Sequence, residues 1–408
     1  MTAVRESGQP GRGAPAAGGE AGAPPLRDCP WPRARRAARS AGGRPSPVRT
    51  VELAAALGHT LAGPLAALTD LPAFDTSAMD GWAVAGPGPW REAGRVLAGQ
   101  SAAPLADGTA VEIATGALLP PGATGVLRRE HGRVERGLLR GAALVPGQDV
   151  RPRGQECRRG EELLPAGTVV TPAVLGLAAA AGHDRLAVHH RPTVELLVLG
   201  DELLDSGLPG PGLVRDALGP LLPPWLAAAG AELIARRHVR DDFGLLRDAV
   251  RRSPADLVVT TGGTAAGPVD FLHAALADAG ARLLVDGVAV RPGHPMLLAE
   301  LPGGRHLVGL PGNPLAAVAG ALTLALPLLD ALSGRPVPGH RIERAAVALP
   351  GHPVDTRLLP VVGTEGGVVP LAFDGPAMLR GLALAEALAV VVPGGVPEGG
   401  RVELLDVP

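Results

Sequence analysis

Thr193-Val-Glu-Leu-Leu-Val-Leu-Gly-Asp-Glu-Leu203 is the stretch that decides the fold of this 408-residue chain. A short, largely apolar run ends in glycine and acids, the pattern of a buried strand in a parallel sheet. The pattern returns twice. Ala255-Asp-Leu-Val-Val-Thr260 runs into Thr261-Gly-Gly-Thr-Ala-Ala-Gly267 with Asp270 beyond, and His306-Leu-Val-Gly-Leu310 runs into Pro311-Gly-Asn-Pro314. Helical stretches at 220–229, 244–251 and 315–332 alternate with these runs. Residues 191–335 therefore read as an open α/β sheet with helices on both faces. Ligands of such sheets bind beyond the carboxyl ends of the strands, so three loops are expected to converge on one cleft.

The chemistry of those loops suits a phosphorylated ligand. Glycine lets backbone N–H groups approach an anion, and a helix N-terminus adds partial positive charge worth roughly 0.3–1 kcal/mol. Glu202 and Asp270 would repel phosphate unless a hard cation such as Mg²⁺ lay between them. Any one loop alone is better explained as ordinary turn chemistry; the three together point to a site. No GxGxxG follows an early strand and no GxxxxGK[ST] occurs, so dinucleotide and Walker-type sites lack their signatures.

Outward from this unit the chain changes character. Residues 70–155 are short apolar segments between Gly/Pro turns, a small mostly-β domain, and 336–408 read as another, with strands expected at 345–349, 367–371, 389–392 and 401–405. Val51–Leu68 carries apolar residues at helical spacing, and 168–181 reads as a helix capped by Gly182. Residues 1–47 hold almost no large apolar side chains and are expected to be a disordered tail.

Composition narrows the function. A formal net charge of -2 excludes a strongly basic nucleic-acid binder, and two cysteines build neither a disulfide scaffold nor a Cys-rich metal site. The N-terminus lacks the apolar core of a signal peptide, and the uncharged run 314–329 is short for a bilayer span and reads as a buried helix. A cytoplasmic protein without membrane or nucleic-acid partners is expected. Every basic residue is arginine and Asn313 is the one asparagine, a compositional bias without functional meaning.

A second polar constellation is Leu71-Pro-Ala-Phe-Asp-Thr-Ser-Ala-Met-Asp-Gly-Trp-Ala-Val84. It resembles the LPxFDxSAMDGxAV signature of the molybdopterin molybdenumtransferases, the MoeA family, found also as the C-terminal part of gephyrin. Ile113-Ala-Thr-Gly-Ala117, Val150-Arg-Pro-Arg-Gly154, Gly200–Leu203, Gly262-Gly263 through Gly267 to Asp270, Arg291-Pro-Gly-His-Pro295 and Leu310–Pro314 follow in the family's order. The likeness covers residues 48–408.

The resemblance implies the last step of molybdenum cofactor synthesis: molybdate is inserted into adenylylated molybdopterin and AMP is released, with Mg²⁺ required. It implies a homodimer of α/β multidomain subunits. Each would hold a segment-built domain (48–69 with 156–190), a β insertion (70–155), a molybdopterin-binding α/β domain (191–335) and a C-terminal β domain (336–408). Carried over, the catalytic set is Asp80, Thr115, Glu202, Asp242 and Asp270, with Glu202, Asp241 and Asp270 at the metal. Ligand contacts would come from Gly262, Gly263, Thr264, Gly267, Arg291, His294, Pro311, Gly312, Asn313 and Pro314; Arg151 and Arg153 are further candidates for the molybdate dianion. Asp241 and Asp242 read equally well as caps of the following helix.

The chain departs from the family's pattern at Leu199, Ala265, Arg291, His294, Glu156 and at Leu218, where an Asn is usual. Each change removes or reshapes a polar contact. The alternative reading is a MoeA-like molybdopterin-binding protein with weak or no insertion activity.

Overall fold

The computed structural model describes residues 24–100, 103–264, 271–337 and 339–408. Its first element contradicts the expectation of a disordered tail through residue 47. Strand Leu26–Pro30 pairs in parallel with Arg282–Arg291, and helix Trp31–Ala41 follows at once. The apolar content is small but well spaced: Trp31, Ala34 and Ala38 share one buried face. The Trp31 indole N–H donates to Thr323 Oγ1 at 3.0 Å, and the Arg35 and Arg39 side chains donate to the carbonyls of Leu322 and Arg335, each at 2.6 Å. Residues 1–23 lie outside the described residues.

Residues 51–68 are not a helix. Val48–Glu52 is a strand, followed by the 3₁₀ turn Leu53–Ala55 and two short strands, Thr60–Leu61 and Leu65–Ala66. Gly58, at a φ of 77°, and the Gly63-Pro64 pair break the helical period. Val48–Glu52 pairs antiparallel with Arg185–His189, so two stretches distant in sequence build one unit around Leu61, Val170, Val174 and Val188. Helix Pro172–Ala180 lies within the expected 168–181 and is capped by the Thr171 hydroxyl.

Between those stretches sits a six-stranded sheet whose central strands are Trp90–Val96 and Thr109–Ile113, with Gly81–Val84 beside the latter. Trp82 and Trp90 pack on one face, Val111 and Ile113 on the other.

In the α/β unit, Glu232–Val239, Thr193–Leu199, Leu257–Thr261 and Arg305–Leu310 lie side by side in that order, all parallel. Alternate side chains feed two cores, as the period of two requires. Leu196, Val198 and Val259 join the layer that holds Leu222 and Leu315, whereas Leu197, Leu199 and Val258 meet Leu246 and Leu276. Two antiparallel strands, Leu297–Leu301 and Arg282–Arg291, extend the sheet. They are absent from the sequence reading because Gly287, Pro292, Gly293 and Pro295 break their apolar pattern. Pro314–Leu332, the one helix among the described residues long and apolar enough to cross a membrane, is mostly buried in the core.

The sheet does not stop at the C-terminal unit. Val290 and Arg291 pair with Thr356 and Arg357, joining the two units into twelve connected strands. The core there is Leu359, Val361, Ala389 and Leu404. Of the strands expected in this unit, 345–349 makes only isolated bridges; Arg341–Arg344 and Thr356–Thr364 are the additional strands.

Candidate active site

A cleft of about 700 Å³ opens at the carboxyl edge of the four parallel strands. From strand Thr193–Leu199 it receives Gly200 and Glu202; from Glu232–Val239 it receives Arg240, Asp241 and Asp242. Strand Leu257–Thr261 supplies Gly262 and Gly263, and Arg305–Leu310 supplies Gly312, Asn313 and Pro314. All three expected loops thus reach one cavity, and the acid pair after Val239 adds a fourth. A second cavity, about 530 Å³, lies in the insertion between Pro87, Trp90 and Leu144 and holds none of the motif residues.

The Gly262-Gly263 turn needs its glycines. Both residues have positive φ, 89° and 67°, and a Cβ on Gly263 would sit 3.1 Å from Leu199 Cδ1. The Gly262 N–H donates to the Leu310 carbonyl at 2.9 Å and ties the two loops together. Thr264 and Pro311 are buried and do not line the cavity. Gly267, Asp270 and the departure at Ala265 lie outside the described residues.

The acids divide by role. Asp242 Oδ1 accepts the Leu245 N–H at 2.8 Å, so this carboxylate caps helix Phe243–Arg252 while lining the cavity. Asp241 Oδ2 accepts the Asp201 N–H at 3.3 Å. Glu202 is exposed, its carboxylate against the α-carbon of Gly200, where an added Cβ would lie 2.6 Å from Oε2. Among the described residues no group of three or more His, Cys, Asp or Glu side chains forms a metal cage. Glu202 and Asp241 are the lining carboxylates that could approach a cation carried in with phosphate.

Asp216 is a cleft residue outside the expected catalytic, metal and ligand-contact sets. It is 6% exposed; Oδ1 accepts the N–H groups of Leu218 and Gly219, at 3.0 and 2.9 Å, and Oδ2 accepts from Arg236 at 2.6 Å. The usual Asn two residues on is the buried Leu218, whose side chain joins the core. Asp216 stands two residues before the position where the family's Asn is usual, and that spacing is the signal that points to it.

Other expected site residues lie elsewhere. Asp80 and Thr115 meet in the insertion, where the Thr115 N–H and hydroxyl donate to Asp80 Oδ1 at 2.7 and 3.0 Å. Nearby, the Arg153 N–H donates to Asp75 at 2.7 Å and its guanidinium pairs with Asp70. Arg151 sits in a two-residue strand beside Thr76 and Ser77. Arg291 and His294 do not line the cavity: Arg291 pairs with Asp355 at 2.8 Å, and His294 Nε2 lies 3.0 Å from Asp28 Oδ1.

The two Thr115 bonds hold the Asp80 carboxyl below the usual carboxylate range. A depressed folded-state pKa contributes stability that is full above the unfolded value, near 3.8, and is lost as pH falls through the folded value. Asp80→Asn is expected to flatten that part of the acid limb, checked by urea midpoints across that range.

With the geometry in place, known proteins give a consistent picture. Residues 30–182 match the MoeA N-terminal region (domain I and II), and 195–331 match a probable molybdopterin binding domain. The molybdopterin molybdenumtransferase of Synechococcus elongatus is 35% identical over 306 residues, 70% of this chain and 76% of that protein. Molybdopterin molybdenumtransferase 2 of Mycobacterium tuberculosis is 36% identical over 320 residues, 73% of this chain and 78% of its own length. The chain belongs to the molybdopterin molybdenumtransferase family. Among solved structures, a molybdopterin biosynthesis MoeA protein from Pyrococcus horikosii aligns with a TM-score of 0.72 at 26% identity, covering 92% of this chain and 98% of that one. Molybdopterin molybdenumtransferase membership thus accounts for the order of motifs along the chain and for its multidomain α/β fold.

Proposed function

We propose that this chain is a transferase of molybdenum cofactor biosynthesis that inserts molybdate into adenylylated molybdopterin and releases AMP. The observation that carries the reading is the meeting of Glu202, Asp241, Gly262-Gly263 and Gly312–Pro314 in one cleft at the strand ends. Glycine turns admit a phosphate close to the backbone, and the carboxylates beside them call for a cation.

Glu202 and Asp241 would hold Mg²⁺. When bound, the ion supplies charge neutralisation at the phosphoanhydride as it breaks. The protein's part is positioning: Asp242 fixes the start of its helix, and Asp216 fixes the start of the helix at Leu218. The reading includes a homodimer in the cytoplasm.

Purified protein mixed with adenylylated molybdopterin, Mg²⁺ and molybdate tests it. The expected result is AMP release together with a product that activates a cofactor-free molybdenum enzyme. Absence of AMP release from bound substrate would favour the second reading, a binding protein. That reading draws on the pairing of Arg291 and His294 with carboxylates outside the cleft.

A further inference from the structure

The cleft has a direction. The strand order places Arg240, Asp241 and Glu202 at the Glu232–Val239 and Thr193–Leu199 end, and Asn313 and Pro314 at the Arg305–Leu310 end. Three strand spacings separate the outer two strands, about 14 Å. Charge is concentrated at the first end.

At the second end the wall comes from another domain. Residues 372–381 of the C-terminal unit reach across and contribute Ala377 and Leu379 to the cavity. The Pro376 carbonyl accepts the N–H groups of Leu315 and Ala316, at 2.9 and 3.2 Å. These belong to the first turn of the core helix, where donors otherwise lack intrahelical partners. The carbonyl occupies them, so this end presents aliphatic side chains in place of helix-end donors.

The segment is held firmly. Arg357 pairs with Asp374 at 2.6 Å, and the Arg380 guanidinium lies 4.5 Å over the Phe373 ring. Phe373 itself sits at a φ of 64°, a conformation that a bulky residue keeps only when its surroundings impose it.

We propose that segment 372–381 orients the ligand: Ala377 and Leu379 seat the flat face of an uncharged ring, and the phosphates and their cation lie toward Glu202 and Arg240. This rests on the functional reading above. Two rings of the proposed substrate share the required chemistry, the pterin and the adenine, and the test separates them.

Titrations of the full chain with molybdopterin, AMP and Mg²⁺-pyrophosphate are compared between the native protein, Ala377→Trp and Leu379→Ala. Ala377 is exposed, so Trp there fills the seat without disturbing a core, and unchanged thermal melting checks this. The expected result is a loss of at least about tenfold for one ring-bearing probe in both variants, with pyrophosphate affinity within about twofold. The affected probe names the ring. Equal losses for all three probes, or no loss for any, would overturn the orientation. If the native protein binds neither ring-bearing probe, the functional reading itself fails, and the orientation with it.

Discussion

Glu202→Gln is expected to slow AMP release by about 100-fold, the order of effect seen when one group stabilising a transition state is removed. The substitution keeps size and hydrogen-bonding capacity while removing the negative charge that suits a cation. Glu202 is exposed, so stability should change by no more than about 0.5 kcal/mol. A rate within about threefold of native, measured at Mg²⁺ concentrations below saturation, would show that this carboxylate has no part in the reaction. A large fall in melting temperature would show that its role is structural. Partial rescue by higher Mg²⁺ is the expected companion result, because a weakened site fills at higher concentration.

The second large effect concerns stability. Trp31→Ala is expected to destabilise the α/β unit by about 3–5 kcal/mol, the usual cost of emptying a buried aromatic site. Trp31 is 4% exposed, bonds Thr323 through its indole N–H, and carries the Arg35 guanidinium 4.9 Å over its ring. The measurement is the urea midpoint of the full chain. An unchanged midpoint would mean that residues 26–41 are an appendage rather than part of the core.

That segment also shows where composition misleads. Its helix buries alanines, which contribute little to any hydrophobic count yet allow close packing. Gly42, just past the helix, approaches so closely that an added Cβ would lie 2.6 Å from the Ala331 Cβ. Small residues at i and i+4, here Ala34 and Ala38, are a packing signal when a partner helix is present, and one sequence does not display the partner. The strands of the α/β unit were readable for the opposite reason. Runs such as Leu257–Thr261 are buried on both faces, so their apolar character is continuous and needs no partner to be recognised.

The site divides along the same line. Gly200, Glu202, Gly262, Gly263 and Asn313 follow directly from strands whose ends the sequence marks. Arg291 ends a strand and His294 lies in the turn that follows, a motif equally plain, but their side-chain directions depend on Asp355 and Asp28, drawn from opposite ends of the chain. The capping role of Asp242 could be anticipated from its position before Phe243. Ala377 and Leu379 carried no signal at all: aliphatic residues in a loop acquire meaning only from the wall they complete.

The two-residue junction of Val290 and Arg291 with Thr356 and Arg357 bears on how this molecule can be divided. Hydrogen-bonded backbone crosses the border expected between residues 335 and 336, and the Arg291–Asp355 ion pair crosses beside it. A chimera that exchanges the last seventy or so residues with those of a relative must therefore match a strand edge and a charge, not merely splice two independent modules.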